Sequence, residues 1–134
     1  MPFCGFEPMT IRPRIIALTL ASLAFLTTTN AGATTMQTFG RCLKSKGATL
    51  YGASWCPHCR AQLQTLGDAL DSVRYVECAV DGSREQAAAC RNAKVSGYPT
   101  WTFADGSRDS GEQSLEELAA KTGGNAFPSD GRRR

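Results

Sequence analysis

Trp55-Cys56-Pro57-His58-Cys59 concentrates the reactive chemistry of this 134-residue chain. Two cysteines two residues apart can close a small, easily reduced disulfide. Proline directly after the first cysteine suits the first turn of a helix, where its missing N–H costs nothing. Cys56 would then stand at a helix N-terminus, where partial positive charge favours a thiolate. A thiolate is the species that attacks disulfides. His58, the one histidine in the chain, can add positive charge when protonated and donate a hydrogen bond to the Cys56 sulfur. The pentapeptide reads as a redox-active dithiol.

Three other uses of a C-x-x-C fit these residues less well. A zinc site needs four ligands, and no second C-x-x-C or H-x-x-H completes the set, so no metal is expected. Haem attachment needs histidine after the second cysteine, and Arg60 stands there. A purely structural disulfide would need no proline–histidine spacer. The flanks decide the matter. Ala48 to Ser54 looks like a short buried strand, and Ala61, Leu63, Leu66, Leu70 and Val73 follow at helical spacing. Strand, C-x-x-C, helix is a redox arrangement.

The elements that must position this dithiol follow from the rest of the chain. Arg12 and Arg14 precede an apolar run, Ile15 to Leu26, and Ala31-Gly32-Ala33 follows a short polar stretch. That is the pattern of a secretory signal peptide, predicted to span 1–33 with cleavage after Ala33 and a possible true start at Met9. An uncleaved signal anchor is the alternative. The run is shorter than the ~20 residues that span a bilayer comfortably. Cys4 is removed under either start. What remains is one small domain, predicted over 34–124, with a flexible basic tail over 125–134. The full chain carries a formal charge of +3, and Arg132-Arg133-Arg134 could account for all of it. A near-neutral body argues against a nucleic-acid partner.

Five cysteines lie after the signal: Cys42, Cys56, Cys59, Cys78 and Cys90. Export makes disulfides expected. If Cys56 pairs with Cys59, Cys78 in a strand pattern and Cys90 in the next helix are the best structural pair. A second redox pair that relays electrons to Cys56–Cys59 is the alternative. Cys42 shares a helical face with Met36, Phe39 and Leu43 and reads as a buried, inert thiol.

The predicted order is helix, strand, helix, strand, helix, strand, strand, helix. The helices are Thr35–Lys46, Pro57–Ser72, one opening at the capping-box spacing Ser83-Arg84-Glu85-Gln86 and running through Ala87–Ala93, and one opening at Ser114-Leu115-Glu116-Glu117. The strands are Ala48–Ala53, Tyr75–Val80, Trp101–Phe103 and Arg108–Ser110, the last two joined by an Asp105-Gly106 turn. Gly123 ends the final helix. The class is α/β, a central mixed sheet flanked by helices.

This order resembles the thioredoxin fold over nearly all of the predicted domain. The resemblance implies a cis-proline loop facing the dithiol, and Tyr98-Pro99 fits that place. Tyr51 to Cys59, Tyr75-Val76-Glu77-Cys78, Gly97 to Trp101 and Gly111 to Leu118 together resemble the thioredoxin-like domain fused to bacterial and plant vitamin K epoxide reductase homologues. That likeness implies a redox pair at Cys56 and Cys59, a second cysteine pair at Cys78 and Cys90, and a cis-proline at Pro99. It also implies disulfide exchange with exported proteins and reoxidation by a membrane reductase that uses quinone. No such membrane segment stands in this sequence, so the expected partner acts in trans. The Cys-Pro-His-Cys centre is also that of strongly oxidising periplasmic disulfide oxidases. One departure concerns direction: cytosolic thioredoxins carry a buried carboxylate six residues before the first cysteine, and this chain has Leu50 there.

The sequence therefore leads to an exported, periplasmic protein-disulfide oxidoreductase, monomeric and without cofactor, working chiefly as an oxidase. In that reading Cys56, the more exposed cysteine, carries the mixed disulfide, and Cys59 resolves it. His58 and Pro57 tune the thiolate. Tyr98 and Pro99 shape the peptide groove, and Trp55 and Trp101 wall it. The rivals are a reductase or isomerase fed by a membrane electron donor, and a non-catalytic thioredoxin-fold module that binds metal through the two thiolates.

Overall fold

The computed structural model describes residues 34–123. The predicted signal peptide, its cleavage point, Met9, Cys4 and the basic tail lie outside the described residues. Among the described residues four strands and four α-helices follow in the order α1 (Thr35–Ser45), β1 (Thr49–Gly52), α2 (Pro57–Leu66), β2 (Arg74–Glu77), α3 (Ala88–Asn92), β3 (Thr100–Thr102), β4 (Arg108–Ser110) and α4 (Leu115–Lys121). The sheet order is β2-β1-β3-β4. β1 runs parallel to β2 and antiparallel to β3, and β3 and β4 form an antiparallel pair. This mixed four-stranded sheet with flanking helices is the expected α/β architecture and is consistent with a thioredoxin-like fold.

Side-chain alternation sorts the sheet into two faces. Leu50 opposes both Tyr75 and Trp101 in register. That face gathers Phe39 and Leu43 from α1, Leu66 from α2, and Leu118 and Ala119 from α4 into the main core. On the other face Tyr51 and Val76, again opposite one another, pack with Cys78, Cys90, Ala93 and Val95 near α3. The active-site helix and the Cys78–Cys90 pair thus lie on opposite faces.

Local chemistry explains the helix ends. Thr34 and Ser114 each close a complete capping box, with Gln37 and Glu117 as reciprocal partners. The predicted helix to Ser72 instead ends at Leu66, because Gly67 adopts φ +47, and the chain continues as a short 3₁₀ turn through Asp71. The Ser83–Gln86 capping box does not form. The Ser83 hydroxyl accepts from the Glu85 N–H, and Gln86 pairs with Ala79 in a β-bridge, so α3 starts only at Ala88.

The 3₁₀ turn packs tightly on α1. A Cβ placed on Gly40 would lie 2.3 Å from the Ala69 carbonyl oxygen, a contact with rigid backbone. Gly40→Ala must push the two segments apart, and we expect a loss of about 1–3 kcal/mol. Urea unfolding followed by far-UV circular dichroism measures it.

Candidate active site

β1 delivers the chain to a tight turn in which the Cys56 N–H donates to the Ala53 carbonyl at 2.9 Å. Cys56 takes an extended conformation, φ −83 and ψ 120, and caps α2, with Pro57 at the first helical position. The sequence dictates this: proline fixes φ for the first turn and gives up a donor that would have had no partner. Arg60 steadies the turn by donating from a guanidinium nitrogen to the Ser54 carbonyl at 3.0 Å.

One helical turn on, Cys59 points back under the loop, and its sulfur accepts the Ala53 N–H at 3.4 Å. Both cysteines stand as thiols. Burial, first of all, pushes the Cys59 thiol up to about 12, and the neighbouring Cys56 and Glu77 charges push the same way. Cys59 is therefore a thiol at neutral pH and needs a proton acceptor before it can attack.

Cys56 was expected to be exposed, but it is only 6% exposed, against 2% for Cys59. Trp55, Tyr98 and Ala79 pack around the pair. The Cys56 thiol donates to the Tyr98 carbonyl at 3.7 Å, which sets the Tyr98-Pro99 segment against the dithiol. The Tyr98–Pro99 peptide bond is cis.

The walls separate into those that line the site and one that does not. Trp55 meets Tyr98 edge to face, 5.8 Å between ring centroids, and the Arg84 guanidinium lies 4.5 Å over the Trp55 ring. Trp101, predicted as a groove wall, is a core residue with no exposure. It stacks on Phe103 and donates its indole N–H to Gln62 Oε1 at 3.3 Å. The physical reason is alternation: Trp101 and Phe103 occupy the same, buried face of the sheet.

His58 also sits differently from expectation. Its side chain is 72% exposed, and Nδ1 lies 2.5 Å from Glu112 Oε1 rather than at the Cys56 sulfur. Glu112 leads into α4, so this pair links the active-site helix to the last helix.

Cys78 and Cys90 form a disulfide, with Cα atoms 5.7 Å apart and both residues fully buried. Between them lies Gln86, whose amide donates to the Val95 carbonyl at 2.7 Å and the Tyr98 hydroxyl at 2.8 Å. The bridge thus braces the segment that holds Tyr98. Replacing Cys78 and Cys90 together by alanine should cost about 3 kcal/mol by loop entropy, read from the thermal midpoint of the variant. Cys42 packs in the main core beside Phe39 and Leu43, as its helical spacing indicated.

Glu77 is the site residue that sequence reasoning missed. Its Oε1 accepts from the Ser54 N–H at 3.0 Å and the Ala79 N–H at 2.8 Å, and Tyr75 donates its hydroxyl to Oε2 at 3.1 Å. Burial, and next the hydrogen bond to Glu77, hold Tyr75 well above the ordinary tyrosine range. The available signal was the i, i+2 spacing of Tyr75 and Glu77, which puts both on one face of β2. Among the described residues no group of three or more His, Cys, Asp or Glu side chains is placed to hold a metal ion. Nor is any described helix long and apolar enough to cross a membrane.

No protein-family model matches the chain. A curated Arabidopsis thaliana protein named thiol-disulfide oxidoreductase LTO1 is 44% identical over 85 residues. The similarity supports a general thiol–disulfide redox function. The match takes in 60% of this chain and only 22% of that protein, so the chain spans a small part of its relative's length.

Proposed function

We propose that this chain is an exported thiol–disulfide oxidoreductase that oxidises protein thiols through a Cys56–Cys59 disulfide. One observation supports this most: a Cys56 sulfur at the N-terminus of α2, against the Tyr98 carbonyl, with Cys59 buried one turn behind it. A substrate thiolate attacks Cys56, the Cys56–Cys59 bond breaks, and the electron pair leaves on Cys59. A second substrate thiolate then attacks the substrate sulfur of the mixed disulfide, forming the substrate disulfide and releasing Cys56 as the leaving group.

Reoxidation falls to a membrane partner of the vitamin K epoxide reductase type, linked to quinone. The Cys-Pro-His-Cys centre and the likeness to the domain fused to such reductases support that assignment. Tyr98, Pro99 and Trp55 form the groove, and the Cys78–Cys90 bridge is its brace. Periplasmic placement rests on the basic, apolar and Ala31-Gly32-Ala33 pattern of the leader.

Leu50 alone does not fix the direction, because Glu77 on the neighbouring strand pairs with Gly52 and its charge bears on the Cys59 sulfur. That observation keeps one second reading, a reductase fed by a membrane electron donor. The test is turnover on a reduced dithiol peptide in a glutathione-disulfide buffer. Rapid peptide oxidation by the purified chain supports the oxidase reading. Faster reduction of the same peptide's disulfide than oxidation of its dithiol contradicts it.

A further inference from the structure

We infer that Glu77 is the proton acceptor of Cys59, a carboxylate delivered across the sheet from β2 to the resolving thiol. The inference rests on the reading of Cys56 and Cys59 as an exchanging pair. Four observations carry it.

The first is register. Gly52 pairs with Glu77 and Leu50 with Tyr75, so all four positions share the face that α2 covers. The second is the space above Gly52. A Cβ built there would meet the Tyr75 hydroxyl at 2.8 Å. The missing side chain lets that hydroxyl lie over β1 while it holds Glu77. The third is a shared loop. Glu77 accepts from the Ser54 N–H, and Cys59 accepts from the adjacent Ala53 N–H, so both hang on consecutive amides of the turn before Cys56. The fourth is exposure. Glu77 is open to solvent on its outer side while Cys59 is covered, so the carboxylate can pass a proton between a buried sulfur and water. The Glu77 charge is also felt at the Cys59 sulfur.

The step balances as follows. In a mixed disulfide on Cys56, the Cys59 thiol gives its proton to Glu77. The freed electron pair on Cys59 forms a bond to Cys56 Sγ. The old disulfide bond breaks, and its electron pair leaves on the partner sulfur as a thiolate. Glu77 then returns its proton to that thiolate or to water. In the oxidising direction Glu77, carrying a proton taken from water or from the substrate thiol, gives it to Cys59 as that sulfur leaves.

Electrostatics and proton transfer make opposite predictions here. A negative Glu77 disfavours a Cys59 thiolate, so removing the charge should speed resolution if the carboxylate acts only by its field. Removing a proton acceptor should slow it, by tenfold or more on the order usual for general acid–base groups. The titratable groups bearing on Cys59 from the packed elements are Cys56 on α2 and Tyr75 and Glu77 on β2.

The experiment uses the reduced full chain, mixed rapidly with oxidised glutathione, quenched in acid and read by intact mass. Attack by Cys56 forms the glutathionyl adduct, and attack by Cys59 removes it. For Glu77→Gln we expect adduct formation at the wild-type rate and resolution at least about tenfold slower. Its resolution should also rise by about tenfold per pH unit between about pH 6 and 9, where wild type stays nearly flat. Resolution as fast as wild type or faster overturns the inference. So does equal slowing of both steps, which marks a loop-holding role. If Glu77→Gln does not fold, Glu77→Asp carries the test: the charge on a shorter arm should slow resolution while keeping the flat pH profile, and an unchanged rate overturns the role. A wild-type chain in which Cys56 and Cys59 both stay reduced in excess oxidised glutathione sinks the exchange reading as well.

Discussion

Cys56→Ser should bring turnover on a dithiol peptide down to the background of glutathione alone, while Cys59→Ser mixed with oxidised glutathione should accumulate a stable mixed disulfide on Cys56. The difference follows from geometry. Cys56 is the sulfur at the mouth of the site, facing the Tyr98 carbonyl; Cys59 lies behind it under the Ala53 amide. Serine at position 56 keeps the shape but removes the nucleophile, since a hydroxyl attacks a disulfide far more weakly than sulfur does. Serine at position 59 leaves the attacking sulfur in place and removes the one that resolves. The adduct of Cys59→Ser should survive for the whole assay and appear by intact mass as one bound glutathione. A Cys59→Ser chain that turns over normally would show that resolution comes from outside the pair.

The second large effect is on stability. Gln62 lies on α2, fully buried, one turn beyond Cys59. Its Oε1 accepts from the Trp101 indole and from the Gln113 N–H at 2.7 Å, and its amide donates to the Gln113 carbonyl at 3.1 Å. One side chain therefore ties the active-site helix to the central strand and to the segment entering α4. Gln62→Leu keeps the volume and strands a buried indole N–H and two backbone groups. The expected cost is about 2–4 kcal/mol, a large share of the ~5–15 kcal/mol that holds a domain of this kind together. Urea unfolding measures it. Because Gln113 follows Glu112, the same variant should loosen the His58–Glu112 pair, seen as a shift of the His58 ring signals by NMR. A loss below about 0.5 kcal/mol would mean that water replaces all three bonds.

Much of this fold is legible from residue type and spacing. Proline after Cys56 sets the helix start. Ser114 and Glu117 at capping-box spacing set another, and the Asp105-Gly106 turn separates β3 from β4. Three of the failures turn on contacts that lie outside the motif itself. Ser83 and Gln86 have the right spacing for a cap, but Gln86 spends its amide on Val95 and Tyr98, and its backbone bridges to Ala79. Trp101 looks like a groove residue because it follows Pro99, yet its side chain faces the core with Phe103. His58 was read with its nearest neighbour in sequence, and the structure pairs it with Glu112, 54 residues on.

The site shows the same division. The cysteines announce themselves, since their spacing is local. Glu77 does not, because a carboxylate in Tyr75-Val76-Glu77-Cys78 gains meaning only when the ladder sets it beside Gly52. Where the resemblance to cytosolic thioredoxins would put a carboxylate on β1, this chain has Leu50. The register shows that one reaches the same face from the adjacent strand.

The redox equilibrium of the Cys56–Cys59 pair tests the central claim most directly. The purified full chain is titrated in glutathione buffers, read by tryptophan fluorescence and thiol trapping, with Cys56→Ser as the control. A potential of roughly −120 to −180 mV, at the strongly oxidising end for this chemistry, is the predicted result. A value near about −270 mV, where thioredoxin lies, would contradict the oxidase reading and turn the direction of electron flow around.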